Sequence, residues 1–235
     1  MTESSDPAKS RRPGLQAKWK GVVDSLEAII PIYEKGSSRI SLFADKEMRS
    51  EVASFAVGEE KGALVLDLGA GPGTLSRVVA QAGGVPILAD ASRKMLARAP
   101  EFDRVQCVFE FLPFRPGSFG AAVAGFSLRD ARDLEIAVAQ IRGVLRSGGR
   151  FAFCDLGKPD SRVKADLVAA YIFVAPLLIG FLTGGRAGLR FGPLYDTYKL
   201  VLNNGSLRSL LLTRFSKVEM VARQMGGSIV ARCSA

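Results

Sequence analysis

The most constraining feature of the sequence is an apolar run that leads into a glycine-rich loop and then into an amphipathic helix. Residues 63–68 are apolar apart from Asp67, and glycines follow at positions 69, 71 and 73. A helix is predicted over 74–81, where the next glycine pair ends it. Such a strand–loop–helix unit is typical of α/β proteins, because glycine lets the backbone turn sharply and approach a neighbouring group closely.

The alternation of strands and helices continues to the end of the chain. Strands are predicted at 85–89, 105–109, 119–126 and 150–155, and helices at 92–99, with Ser92 as N-cap, and from 134 to the glycines at 148 and 149. Two helices (194–203 and 206–213) and two strands (217–224 and 228–232) follow. This order predicts an α/β protein with a mostly parallel, doubly wound sheet, helices on both faces and an antiparallel C-terminal strand.

The length of 235 residues suits one domain. Residues 1–13 are predicted to be a flexible basic tail, 15–33 and 39–56 two helices, and 14–235 one domain in which 167–213 is a helical insertion. Residues 167–185 carry no charge, which leaves three interpretations: a core helix, an apolar lid over a substrate, or a membrane-spanning helix. Pro176 and Gly180 interrupt this run and argue against spanning.

Composition narrows the function classes. Thirty-two Lys and Arg against 23 Asp and Glu give a net charge of +9, which favours an anionic partner such as nucleic acid, anionic lipid or an anionic ligand. No basic stripe is interleaved with aromatic residues, so nucleic acid is not expected. Histidine is absent, which removes the usual general base and every metal site that needs imidazole. The polar N-terminus predicts a cytoplasmic protein.

The glycine loop predicts a nucleoside ligand. A dinucleotide-binding fingerprint would place its third glycine at position 74, whereas here it lies at 73. The spacing, with Asp67 before the first glycine, instead resembles motif I of the S-adenosylmethionine-dependent methyltransferases with a Rossmann-like fold; the alternative is a turn without a ligand. Asp90, at the end of the second strand, can accept both ribose hydroxyls or cap the following helix, and Ala91 and Met95 can line the adenine.

Further segments extend the resemblance to roughly residues 28–232. They are Ile32-Tyr33-Glu34, Leu112-Pro113-Phe114, Ser118-Phe119, Phe126-Ser127-Leu128-Arg129-Asp130, Val144-Leu145 through Gly148-Gly149-Arg150, and Gly157-Lys158-Pro159. Together they are similar to the ubiquinone/menaquinone biosynthesis C-methyltransferase family. The resemblance implies a Rossmann-like fold, S-adenosylmethionine as cofactor, and C-methylation of a prenylated, demethylmenaquinol-like quinol.

The sequence also departs from that family. Val108-Phe109 stands where the family has Asp or Asn followed by Ala, so the adenine is expected to rely on backbone groups near Phe109 and Glu110. Gly120 replaces an Asp, and Asp130 stands where the family has Asn. Two alternatives therefore stay open: a methyltransferase for another class of small molecule, and a cofactor-binding protein without turnover.

The predicted site has a cofactor part and a catalytic part. The cofactor part comprises Tyr33, Asp67, Gly69, Ala70, Gly71, Pro72, Gly73, Asp90, Ala91, Met95, Val108, Phe109, Glu110 and Gly125. The catalytic part comprises Arg129, Asp130 and Tyr171. The resemblance puts Arg129 beside the quinol, where a fixed positive charge stabilises a phenolate; the alternative is a structural ion pair with Asp133 at i+4.

The expected partners follow from the same resemblance and from the charge. They are a lipophilic quinol and an anionic membrane surface, reached peripherally through residues 167–192 with Arg186 and Arg190. A homodimer is compatible with the sequence.

Overall fold

The computed structural model describes residues 44–184 and 193–235, and its described part is built around one seven-stranded sheet. The predicted tail and the first predicted helix lie outside the described residues. The strands in chain order are β1 (Leu64–Leu68), β2 (Val85–Asp90), β3 (Arg104–Gln106), β4 (Phe119–Gly125), β5 (Leu145–Leu156), β6 (Lys217–Arg223) and β7 (Ser228–Ser234). The helices are α1 (Asp45–Val57), α2 (Thr74–Gln81), α3 (Arg93–Leu96), α4 (Leu134–Val144), α5 (Arg162–Gly184), α6 (Pro193–Lys199) and α7 (Asn204–Leu212).

The strand order is β3-β2-β1-β4-β5-β7-β6. All neighbours are parallel except at β7, which runs antiparallel to both β5 and β6. The predicted doubly wound sheet with an antiparallel C-terminal strand is therefore confirmed. From β1 the chain continues to β2 and β3 on one side of the sheet, and from β4 it continues to β5 on the other side. The strand order therefore reverses between β1 and β4. Open α/β sheets bind ligands at such a reversal.

Helices cover both faces of the sheet, because β1 and β4 are apolar on both sides. One face packs against α1 and α2 through Met48, Val52, Ala56, Leu75 and Val79. The other packs against α4 and α7 through Ala137, Val138, Ile141, Leu207 and Leu211. Alternate residues of each strand therefore face opposite cores. Val65, Asp67 and Val123 are on the α1 side, while Leu66 and Leu68 are on the α4 side.

Several predicted boundaries are wrong for identifiable reasons. The predicted strand 105–109 ends at Gln106, because the chain turns and Phe111 donates its N–H to the Val108 carbonyl at 3.0 Å. Helix α4 ends at Val144 rather than at the glycine pair, because Leu145 already pairs with Phe119 at the start of β5. Helices α3 and α6 are shorter than predicted.

Helix α5 contains most of the uncharged run. Its inner face packs on α6 through Val168, Ile172 and Tyr198. None of the helices in the described residues is long and apolar enough to cross a membrane.

Candidate active site

The glycine loop adopts a conformation that only glycine takes without strain. Gly69 and Gly71 both have positive φ, 61° and 55°. A Cβ on Gly69 would lie 2.4 Å from the Cβ of Ser127, so this glycine lets the segment after β4 pack against the end of β1. A Cβ on Gly71 would meet no protein atom within 4 Å. The loop therefore presents bare backbone to an open space at Gly71.

Asp90 holds this loop from the end of β2. Its Oδ2 accepts the Gly71 N–H at 2.8 Å, and its Oδ1 accepts the Ser92 N–H at 2.7 Å. The cap of α3 is made by Ser92, whose Oγ accepts the Met95 N–H at 3.2 Å, as predicted. Asp90 thus ties the first two loops together rather than capping α3.

A cleft of about 770 Å³, counted with its open mouth, lies over these strand ends. Predicted site residues along its wall are Gly69, Gly71, Asp90, Ala91, Met95, Val108, Phe109 and Asp130. The structure brings these eight together although they come from four separate segments of the chain.

Seven further residues line the cleft and were not predicted as site residues: Leu68, Ala89, Ser92, Cys107, Leu112, Phe126 and Ser127. Ser127 donates its Oγ hydrogen to the Leu68 carbonyl at 2.8 Å, which joins the ends of β4 and β1. Leu112, Phe126 and Ser127 belong to segments that carry the family resemblance. Their place in those segments could have identified them as site residues from the sequence.

Asp67 lies beneath the loop and does not line the cleft. It is fully buried, and its Oδ2 accepts the Ser76 hydroxyl at 2.5 Å. Burial raises the pKa of Asp67 to about 7, against the opposing effects of the Ser76 hydrogen bond and the positive charge of Arg49. Its other oxygen, Oδ1, has no hydrogen-bond partner among the described residues.

Gly125, predicted to bind the cofactor, faces Arg49 of α1 instead of the cleft. A Cβ on Gly125 would lie 2.6 Å from the Arg49 Nη1. The next residue, Phe126, has a positive φ of 61° and lines the cleft, and its ring centroid lies 5.1 Å from the Arg49 guanidinium carbon. Arg49 is the site-adjacent residue that sequence reasoning missed altogether.

Arg129 forms a buried ion pair, but not with the predicted partner. Its Nη1 lies 2.7 Å from Oδ1 of Asp155 and also donates to the Phe126 carbonyl, and its backbone N–H donates to Asp155 Oδ2 at 2.9 Å. Asp133 instead caps α4 by accepting the N–H groups of two following residues. The alternative of a structural ion pair therefore applies to Arg129, but its partner is Asp155 at the end of the adjacent β5 and not Asp133.

Asp130 follows on the same turn and faces the cleft. Its Oδ1 lies 3.7 Å from Nε of Arg129, so the Arg129 charge is shared between two carboxylates. Glu110 is occupied elsewhere: it accepts the backbone N–H groups of Arg132 at 2.5 Å and of Asp133 at 3.0 Å.

The remaining predicted residues lie apart from the cleft wall. Ala70, Pro72 and Gly73 complete the loop behind Gly71. Tyr171 lies on the exposed side of α5, where partial burial raises the pKa of its hydroxyl. Tyr33 lies outside the described residues.

Comparison with known proteins decides the family. The model of the methyltransferase domain matches residues 66–153. The demethylmenaquinone methyltransferase of Mycobacterium sp. (strain KMS) is 31% identical over 156 residues, which cover 66% of this chain and 67% of that protein. The ubiquinone/menaquinone biosynthesis C-methyltransferase of Escherichia coli O1:K1 / APEC is 30% identical over 175 residues, covering 65% of this chain and 69% of that protein.

The chain belongs to the ubiquinone/menaquinone biosynthesis C-methyltransferase family. It is a methyltransferase, and its cofactor is S-adenosylmethionine. The fold agrees: an S-adenosylmethionine-dependent methyltransferase of Thermotoga maritima superposes with a TM-score of 0.63 at 15% identity, covering 90% of this chain and 98% of that one.

Proposed function

We propose that this methyltransferase transfers a methyl group to a ring carbon of a prenylated, demethylmenaquinol-like quinol. The names of its relatives support this acceptor class. The observation that carries the proposal is the position of the apolar helix α5: it packs on α6, and α6 lies against the turn Leu128–Asp130, whose Asp130 lines the cleft.

The cofactor is proposed to lie along the first two loops. Asp90 would accept the ribose hydroxyls, as a carboxylate at the end of a second strand can. Ala91, Met95, Val108 and Phe109 would surround the adenine. The backbone of residues 69–73 would lie along the amino-acid part, and backbone groups near Glu110 would face the adenine edge. The open space at Gly71 fits this arrangement, since no side chain fills it.

Asp130 is the proposed proton acceptor, a role in which this chain would differ from the family, because the Asn that the family has at this position cannot take the proton. The bound cofactor supplies an electrophilic methyl group, and a quinol carbon attacks it better when the neighbouring hydroxyl has lost its proton. Asp130 is the predicted catalytic residue that faces the cleft, and carboxylates can act as general bases. Arg129, tied to Asp155, would position Asp130 and keep a positive charge near the developing phenolate.

Tyr171 is proposed to contact the prenyl tail rather than the ring. It shares the exposed side of α5 with a row of apolar side chains: Val163, Leu167, Val174, Leu178, Phe181 and Leu182. Their spacing of three or four residues places them along one side of the helix. We propose that this row lies on an anionic membrane, where the quinol tail resides; Arg186 and Arg190 lie outside the described residues.

Product analysis tests the acceptor. The protein is incubated with S-adenosylmethionine labelled in the methyl group and with reduced lipid extract, and the labelled product is identified by mass spectrometry. A label on a quinol ring carbon is expected. A label found only on oxygen, nitrogen or a water-soluble product contradicts the proposal.

The Asp130→Asn variant tests the proton acceptor. Turnover should fall about a hundredfold or more if Asp130 takes the proton, while affinity for S-adenosylhomocysteine stays within about twofold. Raising the pH should restore part of the activity, because more acceptor is then ionised. Wild-type turnover in this variant would remove Asp130 from that role.

Flotation with vesicles tests the membrane contact. Binding to anionic vesicles should exceed binding to neutral ones and should weaken as salt rises. The double variant Leu178→Ser/Leu182→Ser should bind less, while its stability changes by no more than about 0.5 kcal/mol because both side chains are exposed. Equal flotation of this variant and the wild type contradicts the role of α5.

A further inference from the structure

The end of the cleft that lies over β2 and β3 is apolar. The side chains that line it there are Ala91, Met95, Cys107, Val108, Phe109 and Leu112. The two carboxylates of the cleft lie elsewhere: Asp90 is held by two backbone N–H groups beside the glycine loop, and Asp130 follows β4. Among the lining residues of 107–112, the turn after β3, none carries a side-chain oxygen.

The polar groups of this turn are already engaged within the protein. The Val108 carbonyl accepts the Phe111 N–H at 3.0 Å, and the Leu112 N–H donates to Oε1 of Gln140 at 3.2 Å. The carboxylate of Glu110 accepts two backbone N–H groups just before α4. An amino group on a ligand would therefore meet no uncommitted side-chain oxygen in the turn.

An exposed aromatic ring adjoins this apolar end. Phe111 is 67% exposed, although its neighbour Leu112 lines the cleft. Phe111 and Val108 also form an isolated antiparallel bridge, and residues paired in this way carry their side chains on the same side. The ring therefore lies at the rim of the cleft beside Val108. An apolar group that reached out of the cleft at this point would remove the ring from water, which favours binding.

The proposed placement of the cofactor directs one part of the adenine to this rim. With the ribose hydroxyls on Asp90, the base lies against the turn after β3, because the Asp90 carbonyl accepts the Cys107 N–H at 3.1 Å and Val108 follows. The exocyclic amino group, N6, is carried by the six-membered ring of adenine, on the far side of the base from the ribose. N6 therefore points away from Asp90.

We propose that Val108, Phe111 and Leu112 form a subsite for an apolar substituent on N6 of the cofactor's adenine. No side chain reads the amino group itself, so the protein accepts S-adenosyl compounds that carry alkyl or benzyl groups on N6. The proposal rests on the placement of the cofactor proposed above, and it is independent of which acceptor is methylated.

Calorimetry with three ligands tests the subsite. The ligands are S-adenosylhomocysteine, its N6,N6-dimethyl derivative, which lacks both N–H donors, and its N6-benzyl derivative. The wild type should bind the dimethyl derivative within about twofold of the parent, since no side chain loses a hydrogen bond. It should bind the benzyl derivative at least about threefold more tightly than the parent, because the benzyl group covers the ring of Phe111.

Three variants locate the effect. Val108→Asn supplies a side-chain acceptor and should prefer the parent over the dimethyl derivative by at least about fivefold. Phe111→Ser should lose the tighter binding of the benzyl derivative while binding the parent within about twofold of the wild type. The matched control is Val221→Ser, which removes an exposed apolar side chain from β6 at the opposite edge of the sheet and should keep that tighter binding.

Two results contradict the proposal directly. One is a wild type that binds the dimethyl derivative at least fivefold more weakly than the parent, which would mean that the protein does read the amino group. The other is a benzyl derivative that binds no more tightly than the parent, or whose tighter binding survives Phe111→Ser.

Asp90→Ala separates this proposal from the placement of the cofactor. If this variant weakens all three ligands alike while the wild type gains nothing from the benzyl group, the placement holds and the subsite alone is wrong. If it changes none of the affinities, the placement is wrong and the subsite falls with it. Neither measurement involves a methyl acceptor, so the assignment of the quinol is tested separately.

Discussion

The ends of β1 and β2 and the ends of β4 and β5 use polar groups in opposite ways. At the first pair, Asp90 binds two backbone N–H groups and still faces the cleft, and Gly71 leaves its side of the cleft open. At the second pair, Arg129 and Asp155 are buried against each other. The first pair leaves polar groups facing the cleft, whereas the second holds the turn that carries Asp130 by a buried ion pair.

The largest expected effect is on stability and concerns the ends of β4 and β5. Arg129→Met leaves the Asp155 carboxylate buried without its cation, so the free energy of unfolding should fall by about 3–5 kcal/mol. Arg146→Met is the matched control: Arg146 pairs with Glu60 at the surface, where both side chains are half exposed, and the loss should be no more than about 1 kcal/mol. Urea unfolding measures both. Equal losses in the two variants would mean that the Arg129 pair stabilises no more than a surface pair.

The next largest expected effect is on ligand affinity and concerns the ends of β1 and β2. Asp90→Ala should weaken binding of S-adenosylhomocysteine by about 1.5–3 kcal/mol, because the ribose hydroxyls lose a charged acceptor and the Gly71 loop loses its tether. Asp103→Ala, which removes an exposed carboxylate before β3, should change the affinity by less than about twofold. Calorimetry distinguishes these results, and NAD should bind neither the wild type nor the variants. An unchanged affinity in Asp90→Ala would remove the distinction between the two strand pairs.

A pH-dependent effect comes from Asp67. Because burial raises its pKa to about 7 in the folded protein, the folded state holds a proton between pH 4 and 7 that the unfolded chain releases. The stability of the wild type relative to Asp67→Asn should therefore fall by up to about 1.4 kcal/mol per pH unit across this window and level off above pH 7. Urea unfolding at several pH values measures the difference, and a constant difference from pH 4 to 8 would contradict the assignment.

The smallest expected effect comes from alanine substitutions at two glycines, which separate backbone strain from a loss of ligand binding. Gly71 and Gly62 both have positive φ, and at both a Cβ would meet no atom within 4 Å. Alanine at either position should cost about 1–2 kcal/mol of stability. Only Gly71→Ala should also weaken the binding of S-adenosylhomocysteine, by several-fold, because Gly71 lines the cleft and Gly62 does not. The same affinity in both variants would show that the loop does not contact the ligand.

The ends of β1 and β2 were the more predictable of the two regions. The glycine spacing, Asp90 at a strand end and the Ser92 cap are local features, and each predicted its own conformation without knowledge of the rest of the chain. The turn at Arg129 was less predictable, because helical spacing suggested Asp133 as its partner while the partner lies 26 residues along the chain. Local spacing says little about a residue on a turn between a strand and a helix.

The sequence by itself determined the alternation of strands and helices, the glycine loop and the family. These follow from periodicity and turn chemistry, which act over a few residues. Only the tertiary structure decided that Arg129 pairs with Asp155, that Ser127 packs on Gly69, and that Arg49 is buried beside Gly125. Each of these contacts joins segments that meet because β1, β4 and β5 are neighbours in the sheet. The strand order depends on how all the helices pack against the sheet, and a pattern of a few residues does not determine that packing.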